Sequence, residues 1–187
     1  MKRSNFLSAN TFILFLLVFL FSGHILDAQN KSNVINAKTT NVFRAGAATA
    51  NTTPFLGGDI IGNFGTPPPA TTIHDQLHAR CLVLDDGQTM LAFVVVDILQ
   101  INRELYDEAK RLIYEETNLP PQNVLMSAIH THSAISALGK HQGWNYDMPF
   151  DDYQKFLIRR MADVVRIAIN NLEPARIRWD AGRSYIS

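Results

Sequence analysis

The sequence predicts an α/β fold: a mixed sheet that contains a parallel βαβ unit, is flanked by helices and is preceded by a signal peptide. A nearly continuous apolar run over 90–97 is followed by apolar residues at helical spacing over 102–117, and then by a second apolar run over 123–130. Strand, helix and strand in so short a stretch form a βαβ unit, whose two strands are parallel. The crossover of such a unit is almost always right-handed.

The N-terminal segment has the features of a signal peptide. Lys2 and Arg3 precede an apolar core at 12–21, and a polar stretch follows. The core is too short to span a bilayer, which takes roughly twenty residues. We therefore predict a signal peptide over 1–28 and export to the periplasm or the cell exterior, with an uncleaved anchor as the alternative. A polar, aperiodic stretch at 29–41 predicts a disordered leader.

Charge and cysteine content exclude several classes of protein. Lys+Arg and Asp+Glu both number 17, so the net charge is zero and the chain lacks the basic surface of a nucleic-acid-binding protein. Cys81 is the only cysteine, which excludes an intrachain disulfide. The stability of an exported domain must then come from packing, from a bound metal or from both.

The stretch before the hairpin is predicted to hold one short strand and a long loop. A segment rich in Ala, Thr and Gly over 42–54 predicts a strand that ends at its proline, and the glycines and triple proline of 57–69 predict a loop. His74 and His78 have the i, i+4 spacing of a zincin helix, with Asp in place of the general-base Glu. Because three prolines precede them and a strand follows, we interpret this pair as part of a structural loop.

A β-hairpin is predicted next. Its arms are 80–84 and 90–97, and the Asp-Gly signal of 85–87 is typical of the turn between them. The second arm is apolar almost throughout, which suits a strand covered on both faces. Arg80 is the expected partner of Asp97, because an unpaired charge at the end of a buried strand is costly.

Capping residues delimit two predicted helices. The first begins after Asn102 and ends at Asn118. The second begins after Asp151 or Asp152 and carries a single apolar stripe, with charged residues on the opposite side. A further strand is predicted over 175–180.

A loop between the histidine motif and the second helix carries several large side chains. Trp144, Tyr146, Met148 and Phe150 either form the wall of an apolar binding site or pack back on the core, and we favour the wall. His141, in the same loop, is interpreted as a solvated residue.

The stretch from Asn123 to Ser133 carries the candidate chemistry. It is an apolar strand ending in His130 and His132, and in an extended backbone this spacing places both imidazoles on one face. Neutral imidazoles are ligands that zinc prefers, although two histidines can also simply form hydrogen bonds in a polar turn. Asp97 ends the preceding parallel strand, so it should lie at the same sheet edge as His130, where α/β sheets place their ligands.

Four stretches resemble the N-terminal catalytic region of the neutral/alkaline, non-lysosomal ceramidases, and the resemblance runs from about 43 to 179. The most specific of the four is His130-Thr131-His132-Ser133. The others are Asn51-Thr52-Thr53-Pro54, the octapeptide from Ile73 to Arg80, and Val94-Val95-Val96-Asp97. The resemblance implies an exported zinc amidohydrolase, a hydrolase acting on linear amide C–N bonds, that cleaves N-acylsphingosine into a fatty acid and a sphingoid base.

The same resemblance implies roles for individual residues. His130 would ligate zinc, and His132 would support the site from beside it. We assign Asp97, at the same predicted edge, to the catalytic group as well. The implied substrate is a ceramide-like lipid amide, which leaves room for contact with a membrane surface.

The chain also departs from the family pattern. Ala134 and Ile135 stand where the family has Gly-Pro, and Asn51 stands where it has Asp. The remaining zinc ligands of the family are expected beyond residue 187, so we predict that 42–187 is the N-terminal, incomplete part of a ceramidase-like α/β hydrolytic domain. The alternative is a non-catalytic exported domain that binds lipid or serves as a scaffold.

Overall fold

A mixed five-stranded sheet forms the centre of the described part of the chain. The computed structural model describes residues 41–62, 65–138 and 149–182. The predicted signal peptide and most of the predicted leader lie outside these residues, as do His141, Trp144, Tyr146 and Met148. The strands are β1 Arg44–Asn51, β2 His78–Asp85, β3 Met90–Val96, β4 Val124–Ala128 and β5 Glu173–Pro174, and the helices are α1 Arg103–Thr117 and α2 Asp152–Asn170.

The order of the strands confirms the predicted topology. The sheet runs β4-β3-β2-β1-β5, and only the β3 and β4 pair is parallel. Helix α1 connects these two strands, so β3, α1 and β4 form the predicted βαβ unit. Val96 is the register partner of Ala128. The carboxyl ends of both parallel strands therefore meet at one edge of the sheet.

Local signals set the helix boundaries as predicted. Asp151 accepts a hydrogen bond from the Gln154 backbone N–H, and the Gln154 side chain accepts one from the Asp151 N–H, which completes a capping box for α2. Asn118 ends α1 with φ of 59°, a left-handed conformation that asparagine tolerates. Asn102 is the N-cap of α1 but makes no capping hydrogen bond through its side chain. No helix of the described residues is long and apolar enough to cross a membrane.

One face of the sheet packs against both helices and forms the core. The even positions of β3 and the odd positions of β2 point to this side, and Val83, Val94 and Val96 have no exposed surface. From α2, Leu157, Met161 and Val165 are equally buried. A Cβ added to Gly46 in β1 would lie closer than 3.0 Å to the Ala168 carbonyl oxygen of α2. Glycine is therefore required for this close approach of strand and helix.

The other face of the sheet is apolar but uncovered by the described residues. Its exposed side chains are Leu82, Leu91, Phe93, Val95 and Leu125, with exposures from 36% to 58%. We expected β3 to be covered on both faces, and this part of the prediction is not met within the described residues. Continuous hydrophobicity shows that both faces of a strand can be buried, but it does not determine which element covers each face.

The last predicted strand is much shorter than expected and begins earlier. Only Glu173 and Pro174 pair with β1, opposite Ala45 and Arg44. Because the pairing is antiparallel, the residues after Pro174 run past the first residue of β1. The Ala175 N–H still donates to the Phe43 carbonyl at 3.0 Å, and beyond it the described residues provide no strand to pair with. The prediction of a strand over 175–180 is therefore wrong.

Candidate functional site

The candidate site begins where β4 ends. The Ile129 N–H donates to the Val96 carbonyl at 3.1 Å, which extends the contact between β3 and β4 by one residue. His130 then has φ of 60°, in the left-handed region that non-glycine residues seldom adopt. The expected extended backbone through His130 and His132 is therefore wrong, because the chain turns at the first histidine.

The turn nevertheless brings the two imidazoles together. The ring centroids of His130 and His132 lie 5.0 Å apart, with an interplanar angle of 76°. Both residues are exposed, so both rings are accessible from solvent. The sequence thus predicted the pairing correctly, but the geometry that produces it is a left-handed turn and not the pleat of a strand.

Each imidazole is held by a backbone carbonyl. Nδ1 of His130 lies 3.0 Å from the Leu99 carbonyl oxygen, and Nδ1 of His132 lies 2.7 Å from the Gly62 carbonyl oxygen. A carbonyl only accepts hydrogen bonds, so Nδ1 of each ring must carry the proton. In the neutral rings, Nε2 then keeps its lone pair. This arrangement is typical of histidines that bind a metal through Nε2.

Asp97 lies at the same edge of the sheet, in an ion pair. Arg80 Nη1 is 2.5 and 2.6 Å from the two Asp97 carboxylate oxygens, which confirms the predicted partner. Oδ2 also accepts a hydrogen bond of 3.0 Å from the His78 backbone N–H. The hydrogen bonds found for this carboxylate thus join it to β2, and none of them goes to His130 or His132.

A mainly apolar pocket opens beside the histidine pair. Its volume is about 310 Å³, and Ser133, the residue after His132, is in its wall. His74 and Asp75 form a polar part of the same wall, with the imidazole Nδ1 2.8 Å from the carboxylate Oδ2. The apolar lining includes Phe55, Leu56, Ile60, Ile73, Leu77 and Ile135.

His74 and His78 are not on a helix. His78 is the first residue of β2 and His74 lies in the loop before it, which confirms the structural loop and excludes the zincin arrangement. Sequence reasoning nevertheless missed that His74 faces the pocket beside Ser133. The signal for this was present, because Ile73 to Arg80 is one of the four stretches that resemble the ceramidase pattern.

The described residues do not form a metal site by themselves. They contain no group of three or more His, Cys, Asp or Glu side chains arranged to hold a metal ion. Catalytic zinc takes three protein ligands, so His130 and His132 supply at most two of them. The Nδ1 hydrogen bond of each ring is of the kind that zinc-binding histidines make. The described residues, however, provide too few ligands for a zinc ion.

Comparison with known proteins adds information about the fold. No known protein-family profile matches the chain. Among solved structures, the neutral ceramidase from Pseudomonas aeruginosa is similar, with 18% identity and a TM-score of 0.57, as is a ceramidase complexed with C2, with 19% identity and a TM-score of 0.54. Each match covers 71% of this chain and only 22% of the other chain. At this identity the likeness shows a ceramidase-like fold and nothing finer.

Proposed function

We propose that this chain is part of an exported, zinc-dependent amidohydrolase of the neutral ceramidase type. Its reaction would be hydrolysis of the amide bond of N-acylsphingosine, which yields a fatty acid and a sphingoid base. The observation that carries the proposal is the pair of imidazoles at the end of β4, each with Nδ1 on a backbone carbonyl and with no hydrogen bond to Nε2 from the described residues. The fold that the chain shares with ceramidases supports it at a coarser level.

The proposal gives each residue of the site a specific role. His130 ligates the zinc ion through Nε2, and His132 supports the site from beside it. Asp97 acts as a positioning residue: it joins the end of β3 to β2 through Arg80 and the His78 N–H. The chain leads from there to Leu99, whose carbonyl holds His130. The remaining zinc ligands, on this proposal, come from residues beyond 187.

The chemistry follows from the place of the histidines beside the pocket. A zinc ion held there would polarise the amide carbonyl and lower the pKa of a water molecule to about 7. The apolar wall of the pocket would bind hydrocarbon from the substrate and exclude water from it. Neither His130 nor His132 lines the pocket, but Ser133, the next residue of the chain, is in its wall. On this proposal, the substrate amide would therefore lie at the Ser133 side of the pocket.

The test uses the protein isolated from the cells that express it, together with a His130→Ala variant. Zinc content is measured by mass spectrometry, and amide hydrolysis is measured with a fluorescent N-acylsphingosine. The variant should lose its zinc, and its activity should fall at least about 100-fold, because even the loss of a residue that orients a ligand costs 10- to 100-fold.

The matched control is Gln122→Ala, an exposed residue just before β4 and thus at the opposite edge of the sheet. It should retain both zinc and activity. If His130→Ala keeps either its zinc or its hydrolysis of the lipid amide, the proposed assignment is wrong.

A second candidate function is a non-catalytic exported domain that binds lipid or serves as a scaffold. It is favoured by the apolar pocket of about 310 Å³ and by the incomplete ligand set of the described residues. Metal analysis of the protein isolated from the cells that express it separates the two candidates. Tight, stoichiometric zinc would contradict the second, whereas fatty-acid binding by a chain without zinc would support it.

A further inference from the structure

Gly62 contacts His132 so closely that no side chain fits between them. A Cβ added to Gly62 would lie closer than 3.0 Å to the carbonyl oxygen, Cα and Cβ of His132. These atoms are the backbone and the root of the side chain, so a rotamer change cannot relieve the overlap. The two residues are 70 positions apart in sequence, and only the fold brings them together.

The loop that carries Gly62 is braced by its own hydrogen bonds. Gly57 N–H donates to Ala70 O and Ala70 N–H donates to Gly58 O, both at 2.8 Å, and Ile60 N–H donates to Pro68 O at 3.0 Å. The two sides of the loop thus form a short antiparallel pair, and Gly62 lies two residues beyond its last bond. A backbone-paired stretch therefore leads to the Gly62 carbonyl that contacts His132.

The two histidines differ in what holds them. The carbonyl that accepts from His130 belongs to Leu99, which is buried and is joined to Ile135 by a hydrogen bond of 3.2 Å. The carbonyl that accepts from His132 belongs to Gly62, in the loop over 57–70. The sheet and its core therefore fix His130, whereas His132 depends on one close backbone approach.

We infer that Gly62 is a positioning residue for His132. Its missing side chain lets the loop backbone reach the imidazole, and its carbonyl holds the proton on Nδ1, so that the Nε2 lone pair can support the zinc site beside His130. The part of this inference that concerns metal rests on the proposed function. The part that concerns the tautomer does not, so the two can fail separately.

The test compares the wild-type 187-residue chain with Gly62→Ala. Long-range proton–nitrogen correlation spectra, recorded at about pH 8, report which ring nitrogen of a neutral imidazole carries the proton. In the wild type, His132 should be protonated on Nδ1. In Gly62→Ala, His132 should change to a mixture of tautomers while His130 stays protonated on Nδ1. In the protein isolated from the cells that express it, zinc affinity, measured by chelator competition, should fall about 10- to 100-fold.

The matched control is Gly182→Ala, because a Cβ there meets no atom of the described residues within 4 Å and the backbone is not left-handed. It should leave both readouts unchanged. The wild-type spectrum decides the question even if Gly62→Ala fails to fold: a His132 protonated on Nε2 overturns the inference. An unchanged His132 tautomer in a folded Gly62→Ala protein overturns it as well. If the protein isolated from the cells that express it holds no zinc, the proposed function is wrong and the tautomers alone decide the role of Gly62.

Discussion

The two faces of the sheet are similarly apolar, but the helices cover one face and the described residues leave the other exposed. In β3, Val94 is fully buried beneath the helices, whereas its neighbours Phe93 and Val95 point the other way and are 36% and 37% exposed. Asp97 and Arg80 belong by alternation to the open face, at the edge where the histidines lie. The comparison indicates that the covered face provides the stability of the described fold, while the open side and its edge carry the candidate chemistry.

The sharpest test of this difference compares two leucines, one packed against the covered face of the sheet and one on its open face. Leu157 of α2 is fully buried and Leu125 of β4 is 58% exposed. Leu157→Ala should lower the free energy of unfolding by about 2–5 kcal/mol, because it leaves a cavity in a packed core. Leu125→Ala removes the same atoms from a site already in water and should cost less than about 1 kcal/mol. Urea unfolding measures both, and equal losses would show that the open face is buried in solution.

An intermediate effect is expected at Asp97, where the open face meets the candidate site. Asp97→Ala removes the hydrogen bonds from Arg80 and from the His78 N–H and should lower the free energy of unfolding by about 1–2 kcal/mol. This value is reduced because the Arg80 side chain is 51% exposed and water screens the pair. Asp97→Asn retains an acceptor for the His78 N–H and should cost less. Equal losses in the two variants, measured by urea unfolding, would mean that the hydrogen bond from the His78 N–H contributes nothing and that the whole loss comes from the ion pair with Arg80.

Local signals in the sequence were sufficient for much of the fold. The capping residue Asp151, the stop at Asn118 and the apolar runs on either side of α1 each act within a few residues of their own position, so the βαβ unit could be predicted. The Arg80 and Asp97 pair followed from the cost of an unpaired charge at a strand end. The shared edge of Asp97 and His130 followed from the parallel pairing alone.

The features that could not be predicted depend on contacts distant in sequence. Nothing near Gly62 indicates that its carbonyl meets His132, and nothing near His130 requires a left-handed backbone there. The end of β5 is set by where β1 begins, more than a hundred residues earlier in the chain. Which face of β3 is covered depends on where α2 packs, and the strand's own composition does not encode this.

The smallest expected effect tests whether water reaches the covered face of the sheet. Cys81 lies on that face, and burial raises the pKa of its thiol from 9.0 to about 12. Between these values the unfolded chain loses the thiol proton and the folded chain keeps it. The folded state then binds more protons, so the free energy of unfolding falls as the pH rises above about 9. One such group contributes at most about 1.4 kcal/mol per pH unit. Urea unfolding from pH 8 to 10 should show this fall in the wild type and a shallower one in Cys81→Ala. Parallel curves would mean that water reaches the thiol and that the helices cover this face less tightly than the structure indicates.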